Sequence, residues 1–195
     1  MSHLRAIVFD FDLTLADTTA GIVECVNYSI TGIGLPPAPA DAIYQTIGIT
    51  HDQRFLKLAG PQHIDRFPQY LELYQERSRQ VMEAMTTFYP ATPSVVRRLK
   101  QRGVRMGIVS SAYRFRVEMT LRKADLMDCF EAILGYEDMS IHKPDPTGLL
   151  EVVRRLGSVP PDTLYVGDSV VDAEAAQRAG MPFVAVLTGP STKRH

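Results

Sequence analysis

The residues best suited to catalysis lie in four short segments of the chain. Two of these segments carry paired carboxylates. Asp10 and Asp12 follow one apolar run, and Asp168 and Asp172 follow another. Carboxylates can act as nucleophiles, acid–base groups or metal ligands, but either pair alone could equally cap a loop or begin a helix. The pairs therefore need the other two segments before they indicate a function.

The other two segments offer groups that bind phosphate. Ser110 and Ser111 precede a predicted helix, where a hydroxyl and free backbone amides can bind a phosphate or simply cap the helix. Lys143 stands beside Pro144 and close to Pro146, and these prolines restrict the backbone around the lysine. A solvated lysine needs no such rigid mounting, so the pattern favours a functional role for Lys143.

The elements that must position these segments are strands and helices in alternation. The predicted strands read mostly as continuous apolar runs, which is typical of strands buried on both faces. They are Arg5–Phe9, Val104–Val109, Glu131–Leu134, Thr163–Val166 and Phe183–Leu187. The predicted helices are Pro93–Arg102, with Thr92 as its capping hydroxyl, Arg114–Ala124, Pro146–Leu156 and Val171–Ala179. This alternation predicts an α/β fold, a Rossmann-like, doubly wound parallel sheet.

The stretch 16–88 interrupts this alternation. It has no convincing strand and is predicted to be helical at Thr19–Thr31, Ala40–Ile47, His51–Leu58 and Ile64–Met85. We therefore predict a core formed by residues 1–15 and 89–195, with an α-helical cap domain, residues 16–88, inserted after the first strand. A helical insertion at this point is expected to act as a lid over the site.

In the predicted topology all four segments reach the same edge of the sheet, where open α/β sheets bind ligands. Four carboxylates would then converge, and each pair at about 4 Å would repel by roughly 4 kcal/mol at an effective dielectric of about 20. Lys143 offsets only one of these charges. A hard divalent cation with oxygen ligands resolves the repulsion, and Mg²⁺ is the usual one where carboxylates meet phosphate.

Composition and charge narrow the classes of protein. The 195 residues are 45% hydrophobic and 22% charged, which indicates a soluble globular chain of one domain with a modest insertion. The net charge of −1 argues against nucleic-acid or membrane partners. Cys25 and Cys129 cannot form a disulfide framework and fit a reducing compartment. With no signal-peptide pattern at the start of the sequence, a cytoplasmic location is expected.

Taken in order, the four segments resemble the motifs of the haloacid dehalogenase-like hydrolase superfamily, in its phosphatase branch with a helical cap. The matching sequences are DFDLT from Asp10, the hydroxyl of Ser110, Lys143 followed by Pro144, and GDSVVD from Gly167. The loop at 47–51, IGITH, is similar to the glycine-containing cap loop of phosphoglycolate phosphatase-like members. Four motifs in the right order carry far more weight than any one of them.

The resemblance implies a role for each motif residue. Asp10 is expected to be the nucleophile that becomes an aspartyl phosphate, and Asp12 the general acid–base. Phosphate binding is assigned to Ser110, Ser111, Lys143 and Arg114. Mg²⁺ binding is assigned to Asp10, Asp12 through its main-chain carbonyl, Asp168 and Asp172, the last either through water or as a residue that orients the others.

Leu13 and Ser111 depart from the family pattern, and Asp12 distinguishes a phosphatase from a dehalogenase. Leu13 replaces a common glycine, which makes the loop bulkier, and Ser111 replaces a frequent asparagine. Asp12 favours a phosphatase over a dehalogenase, because a halide leaving group needs no proton. Lys57, the only lysine of the cap, is interpreted as a surface residue, which argues against a phosphonate hydrolase that needs a cap amine.

The predicted function is a Mg²⁺-dependent phosphatase that hydrolyses a small phosphorylated metabolite, with phosphoglycolate as the first candidate and a monomer or homodimer as the assembly. Gln45, His51 and Arg54 are candidate cap contacts to the substrate. The basic stretch 97–123 is interpreted mostly as a solvated helix surface. A sugar phosphate mutase of the β-phosphoglucomutase type, or a binding protein on a retired catalytic core, remain alternatives.

Overall fold

A computed structural model describes residues 5–190 of the chain, so the outermost residues of the two predicted core segments, 1–4 and 191–195, lie outside the described residues. The strands are β1 (Ala6–Phe9), β2 (Ala16–Asp17), β3 (Thr87–Phe88), β4 (Arg105–Val109), β5 (Ala132–Leu134), β6 (Thr163–Gly167) and β7 (Phe183–Ala185). The helices are α1 (Thr19–Gly32), α2 (Ala40–Tyr44), α3 (His51–Ala59), α4 (Phe67–Met85), α5 (Thr92–Gln101), α6 (Arg114–Lys123), α7 (Thr147–Arg155) and α8 (Val170–Ala179).

A five-stranded sheet in the order β5-β4-β1-β6-β7 forms the centre of the molecule. Every neighbouring pair is parallel, and Phe9 at the end of β1 lies opposite Ile108 of β4 and Val166 of β6. The chain therefore follows the predicted doubly wound α/β topology, and the fold class is confirmed. The register brings the carboxyl ends of β1, β4 and β6 to one edge, directly before the motif segments.

Helices cover the sheet on both faces, which explains why its strands are apolar without alternation. Ile7 and Phe9 of β1 belong to a buried cluster with residues of α5 and α6. Ala6 and Val8, with the opposite orientation, pack in a second cluster with residues of α7 and α8. A Val or Phe side chain contributes about 1.5–3 kcal/mol when it is fully buried, so both faces of β1 stabilise the fold.

The helices between β1 and α5 have a hydrophobic core of their own. Ile22 and Val26 of α1 pack with Tyr70 and Met82 of α4, and Leu13 from the loop after β1 joins the same buried cluster. Gly21 is needed at this contact, because a Cβ there would lie 2.5 Å from the Met82 sulfur. The predicted helical character of this stretch is therefore correct. None of the helices among residues 5–190 has both the length and the apolar composition needed to cross a membrane.

The structure differs from the prediction at several element boundaries. The expectation of no strand in 16–88 is wrong, because Ala16 and Asp17 pair antiparallel with Phe88 and Thr87. Strands of two residues are too short to leave a periodic pattern. Thr92 is also not a capping residue, since it lies inside α5 and its hydroxyl donates to the Leu15 carbonyl at 2.8 Å.

Two helices of the insertion also begin or end elsewhere than predicted. The helix predicted to run to Ile47 ends at Tyr44, and the long helix predicted from Ile64 begins only at Phe67, after a 3-10 turn over Pro61–Arg66. Pro68 explains the second difference, because proline is tolerated in the first turn of an α-helix and not in its interior.

Candidate active site

Lys143 lies at the centre of the candidate site. Its ammonium group donates to Asp10 Oδ1 at 2.8 Å, to Asp172 Oδ1 at 2.7 Å and to the Tyr165 hydroxyl at 3.2 Å. All of these side chains are buried. Although burial alone would lower the pKa of Lys143, the Asp10 and Asp172 carboxylates hold that pKa well above its ordinary value. Lys143 is therefore a fixed, charged group beside the Asp10 carboxylate.

Asp172 is held in place by hydrogen bonds to both of its oxygens. Oδ1 accepts from Lys143 and from the Tyr165 hydroxyl, the latter at 2.7 Å. Oδ2 accepts from the backbone amide and hydroxyl of Ser169, which caps α8 by accepting in turn from the Asp172 amide. Burial pushes the pKa of Asp172 upward, but Lys143 and these hydrogen bonds outweigh it and the pKa lies below its ordinary value. Asp172 is thus placed to orient Lys143.

Three carboxylates meet closely enough to hold a metal ion. Asp10, Asp168 and Asp172 each offer an oxygen, and these oxygens lie within 4.8 Å of one another. Among the described residues, Asp10 Oδ2 and Asp168 Oδ2 are buried without a hydrogen-bond partner, while Asp168 Oδ1 accepts from Thr14 at 3.1 Å. Burial raises the pKa of Asp10 to about 7 and that of Asp168 to about 8. Unpartnered buried carboxylate oxygens fit a hard cation such as Mg²⁺.

The Asp12 carboxylate lies outside this group, so three carboxylates converge and not the expected four. Asp12 Oδ2 accepts a hydrogen bond of 2.5 Å from Nη2 of Arg116, and both side chains are buried. The interpretation of stretch 97–123 as solvated surface is therefore wrong for Arg116. A signal was present in the sequence, because Arg116 falls on the same helical stripe as Thr120 and the apolar Val117 and Leu121, which are also buried.

The predicted phosphate-binding residues occupy different environments. Ser110 is buried at the end of β4, where its hydroxyl accepts from the Ala112 amide at 3.1 Å. Ser111 turns to the helical insertion and donates to the Gly48 carbonyl at 3.0 Å. Arg114 lies on the exposed side of α6 in an ion pair of 2.8 Å with Asp138. The structure does not bring Arg114 together with the Asp10 group.

Two of the three candidate contacts from the insertion are buried, and one of them, His51, also contacts the core. His51 is buried, and its ring lies 4.7 Å from the Tyr74 ring and 5.0 Å from the Tyr113 ring, measured between centroids. Arg54 is buried one helical turn further along α3, whereas Gln45 is exposed. Burial, reinforced by the charges of Arg54 and Arg116, lowers the pKa of His51 well below its ordinary value.

The insertion is closed over the motif loops. Besides the contact from Ser111 to Gly48, the Tyr44 hydroxyl donates to the Thr188 carbonyl at 3.1 Å. A Cβ placed on Gly48 would lie only 3.8 Å from the Ser169 Cβ. The helical insertion therefore contacts the loops that follow β4, β6 and β7, and the Asp10 carboxylate beneath it is buried.

Comparison with known proteins places this site in a family context. Residues 7–186 match the family described as haloacid dehalogenase-like hydrolase. A phosphoglycolate phosphatase of Yersinia pseudotuberculosis is 28% identical over 190 residues, which cover 95% of this chain and 82% of that protein. A phosphoglycolate phosphatase of Pseudomonas putida is 30% identical over 192 residues, with coverages of 95% and 70%. The crystal structure of a haloacid dehalogenase-like hydrolase from Bacteroides fragilis has a TM-score of 0.92 at 39% identity and covers 97% of this chain and 90% of its own.

Proposed function

The chain belongs to the haloacid dehalogenase-like hydrolase family and is a phosphatase of that family, and we propose that it hydrolyses a small phosphomonoester through an aspartyl phosphate on Asp10. One observation carries this proposal. The Asp10 carboxylate is buried beside the Lys143 ammonium, and one of its oxygens has no hydrogen-bond partner within residues 5–190. A carboxylate in that position is suited to attack a phosphorus atom whose charge the lysine neutralises.

In the first step an Asp10 oxygen attacks the phosphorus, and the bond between phosphorus and the leaving oxygen breaks. Asp12 donates its proton to that oxygen, so the product leaves as a neutral alcohol. In the second step Asp12 takes a proton from water, the water oxygen attacks the phosphorus, and the bond between Asp10 and the phosphoryl group breaks. Phosphate is released and both aspartates return to their starting states.

Lys143 and Ser110 are proposed to hold the phosphoryl oxygens during both steps. Lys143 stays charged because Asp10 and Asp172 flank it, and Ser110 stands at the end of the strand beside β1. Ser111 is proposed to link this phosphate site to the insertion through its hydrogen bond with Gly48. Arg114 is left out of the proposal because its guanidinium already pairs with Asp138 on the exposed side of α6.

Asp10, Asp168 and the main-chain carbonyl of Asp12 are proposed to hold Mg²⁺, which when bound would neutralise charge on the transferring phosphoryl group. The fit rests on the two unpartnered oxygens of Asp10 and Asp168. Both Asp172 oxygens already accept hydrogen bonds from protein groups. Of the two roles predicted for Asp172, we therefore propose the orienting one.

Residues 16–88 are proposed to form a cap domain on a core of residues 1–15 and 89–195, joined through the short ribbon of β2 and β3. Because Asp10 is buried beneath the closed insertion, substrate entry requires the cap to open. Phosphoglycolate is the first candidate substrate, since the curated relatives carry that name. A cytoplasmic location and a monomeric or homodimeric assembly complete the proposal.

The test is hydrolysis of two substrates in the presence of Mg²⁺: an aryl phosphate whose aryl group is uncharged, and phosphoglycolate. Asp10→Asn is expected to lower turnover of both substrates by at least about 1,000-fold, because the amide cannot form the phosphoenzyme. Asp65→Asn, at an exposed position of the insertion, is the matched control and is expected to keep full activity. Turnover by Asp10→Asn at the wild-type rate would refute the proposal.

A further inference from the structure

Two arginines are buried, one in the core and one in the helical insertion, and neither is explained by the chemistry at Asp10. Arg116 extends from α6 of the core and Arg54 from α3 of the insertion, and both are at least nine-tenths buried. Arg116 pairs with Asp12 through Nη2 only. Arg54 donates to neutral groups alone, namely the hydroxyl and carbonyl oxygens of Thr46 and the Tyr74 hydroxyl. Within residues 5–190 no ion pair neutralises Arg54.

Several polar atoms around these arginines have unused hydrogen-bonding capacity. In the part of the chain that the structure describes, Nη1 of Arg116 is buried without an acceptor, and both ring nitrogens of His51 are buried without a partner. Buried polar groups in native proteins are nearly always satisfied, and an unsatisfied one calls for an explanation such as a ligand. A charged donor needs a partner more than a neutral one does, because an uncompensated buried cation is strongly unfavourable.

We call the four buried side chains Arg54, Arg116, His51 and Tyr74 the cationic chamber. The Tyr74 hydroxyl accepts from Nη1 of Arg54 at 3.4 Å, and the Tyr74 ring lies 4.7 Å from the His51 ring. Burial raises the pKa of Tyr74, and the charges of Arg54 and Arg116 both oppose that rise. The chamber therefore combines residues of the core and of the insertion.

Asp12 locates the chamber relative to the reaction. In the proposed function Asp12 gives its proton to the leaving oxygen, and the Arg116 guanidinium is hydrogen-bonded directly to the Asp12 carboxylate. Arg116 is thus one hydrogen bond beyond the group that touches the leaving oxygen. A guanidinium in this position is suited to bind an acceptor attached a short distance from the leaving oxygen, and Arg54 hydrogen-bonds the Tyr74 hydroxyl of the same chamber.

We propose that the cationic chamber binds a second oxyanion on the leaving group, so that the preferred substrates are short phosphate esters that carry an additional carboxylate or phosphate. This inference rests on the proposed function. Arg116 bridges Asp12 and the second oxyanion, keeping Nη2 on Asp12 and offering Nη1 to the substrate, and it is a positioning and specificity-determining residue. Arginine suits this bridge because its planar guanidinium presents several donors in a fixed geometry. Arg54 supplies the second cation from the insertion.

The test compares pairs of phosphate esters in which only one member carries a second anionic group on its leaving group. One pair is phosphoglycolate and its neutral amide, and the other is ethylene glycol bisphosphate and ethylene glycol monophosphate. For the wild type, kcat/KM is expected to favour the charged member of at least one pair by about 10- to 100-fold, the usual effect of a charge-assisted hydrogen bond. A larger ratio in the first pair identifies a carboxylate as the preferred oxyanion, and a larger ratio in the second identifies a phosphate.

Variants then assign the preference to the chamber. Arg116→Gln and Arg54→Gln are each expected to lower the ratio of kcat/KM between the charged and the neutral member of a pair by about tenfold or more. Arg116→Gln can also slow turnover of every substrate through its contact with Asp12, but such an effect cancels in this ratio. Arg116→Lys keeps the charge and is expected to retain part of the ratio. Arg122→Gln, at an exposed residue of the same helix, is the matched control and is expected to leave the ratio unchanged.

Binding to the Asp10→Asn protein with Mg²⁺ gives a second readout that needs no turnover. Calorimetry with phosphoglycolate and its amide is expected to reproduce the preference for the charged ligand and its loss in the arginine variants. Thermal unfolding checks that each variant is folded. If Arg116→Gln does not fold, Arg116→Lys and Arg54→Gln decide the outcome.

Failure of the inference is distinguishable from failure of the proposed function. If the wild type hydrolyses aryl phosphate in an Asp10-dependent manner but shows ratios near one in both pairs, or ratios that the arginine variants do not change, the chamber inference is overturned and the proposed function stands. If hydrolysis does not depend on Asp10, the proposed function is overturned and the inference with it.

Discussion

Asp10 and Asp12 stand one residue apart in the chain, yet their carboxylates have different neighbours. Asp10 lies against Lys143, and Asp12 lies against Arg116. The separation matters because the proposed mechanism asks one carboxylate to bond to phosphorus and the other to carry a proton. Different environments let two like groups take different roles in one site.

The first prediction concerns the charge that Lys143 supplies. Lys143→Met removes the cation between Asp10 and Asp172, and loss of one partner from a buried ion pair costs about 3–5 kcal/mol. We expect a loss of this size in the free energy of unfolding of the metal-free protein at pH 8. At pH 5 the loss is expected to be smaller, because Asp10, whose pKa is already raised to about 7, is then protonated and needs no partner.

Urea denaturation at the two pH values measures this effect. Lys57→Met, at an exposed residue of α3, is the control and is expected to change stability by no more than about 0.5 kcal/mol. A Lys143→Met protein with wild-type stability at pH 8 would contradict the account of this lysine.

At the scale of single residues the sequence predicts much of the site. The order of the strands and helices can be predicted from the sequence, and four site residues directly follow a strand or precede a helix. The structure brings these residues together, namely Asp10, Lys143, Asp168 and Asp172. Arg116 was missed because it stands in a strongly basic stretch, which is usually a solvated surface. The helical period around it was the better guide, since Val117 and Leu121 lie on the same buried stripe.

At the scale of elements, the loop after β1 connects this strand to the helical insertion. Leu13 takes a left-handed backbone conformation, with φ of 59°, where the family pattern commonly has glycine. Its side chain is buried in the cluster formed by α1 and α4. The bulkier side chain at this position thus also joins the insertion to the strand.

The second prediction is that Leu13→Gly destabilises the protein, although it relieves backbone strain. A left-handed conformation costs a non-glycine residue about 1–2 kcal/mol, whereas truncating a buried leucine costs about 2.7–5 kcal/mol. The net loss is therefore expected to be about 1–4 kcal/mol, measured by chemical denaturation. A stabilised Leu13→Gly protein would show that strain, and not packing, dominates at this position.

The third prediction tests whether the insertion must open. The position of a Cβ on Gly48 is 3.8 Å from the Ser169 Cβ, a separation typical of a disulfide. We expect the double variant Gly48→Cys, Ser169→Cys to lose at least about tenfold in turnover when oxidised, because substrate cannot reach Asp10, and to recover activity in reductant. The measurement is the rate before and after reduction.

Each single cysteine variant serves as its control. Gly48→Cys also accounts for the cost of a side chain at a positive φ of 98°, and Ser169→Cys for the altered cap of α8. The native Cys25 and Cys129 are both buried. Equal activity of the oxidised and reduced double variant would contradict cap opening.

The elements differ in how well the sequence predicts them. Strands such as β4 and β6 are largely apolar runs that directly precede motif segments, so the sequence predicts both their existence and their order. The ribbon of β2 and β3 could not be predicted, because two residues per strand carry no period and the partners are about seventy positions apart in sequence. Its pairing depends on how the insertion docks on the sheet.

At the scale of the whole molecule, a net charge of −1 conceals two buried charge clusters. Acidic groups gather at the carboxyl edge of the sheet, and the two arginines of the cationic chamber are also buried. The acidic cluster was predicted because it follows from strand order. The contact of His51 in the insertion with Tyr113 in the core was not predicted, because it depends on how the insertion docks on the core, which no local pattern encodes.

The fourth prediction is that Mg²⁺ stabilises the protein more at high pH than at low pH. The pKa values of Asp10 and Asp168 are raised to about 7 and about 8, so the metal-free native state binds more protons than the unfolded chain between roughly pH 4 and pH 8. Native stability without metal therefore falls as pH rises through this window. Protons and Mg²⁺ compete for the same oxygens, so metal binding strengthens in the same direction.

Thermal unfolding with and without Mg²⁺ measures this linkage. At about 100 times its dissociation constant, Mg²⁺ adds about 2.7 kcal/mol, or roughly 5–10 °C in Tm for a chain of this size. We expect this shift at pH 8, a smaller one at pH 5.5, and none in Asp168→Asn. Shifts of equal size at both pH values, or a shift unaffected by Asp168→Asn, would contradict the proposed metal site.

The most direct test of the central claim is detection of the phosphoryl group on Asp10. Asp12→Asn is expected to complete the first step with an aryl phosphate, whose leaving group departs without protonation, and to stall at the second, which needs a base. After acid quench with Mg²⁺ present, mass spectrometry should find one phosphoryl group on the peptide that contains Asp10, and none when Asp10→Asn is added. A phosphoryl group on another residue, or none on Asp10 while the wild type releases phosphate, would contradict the account.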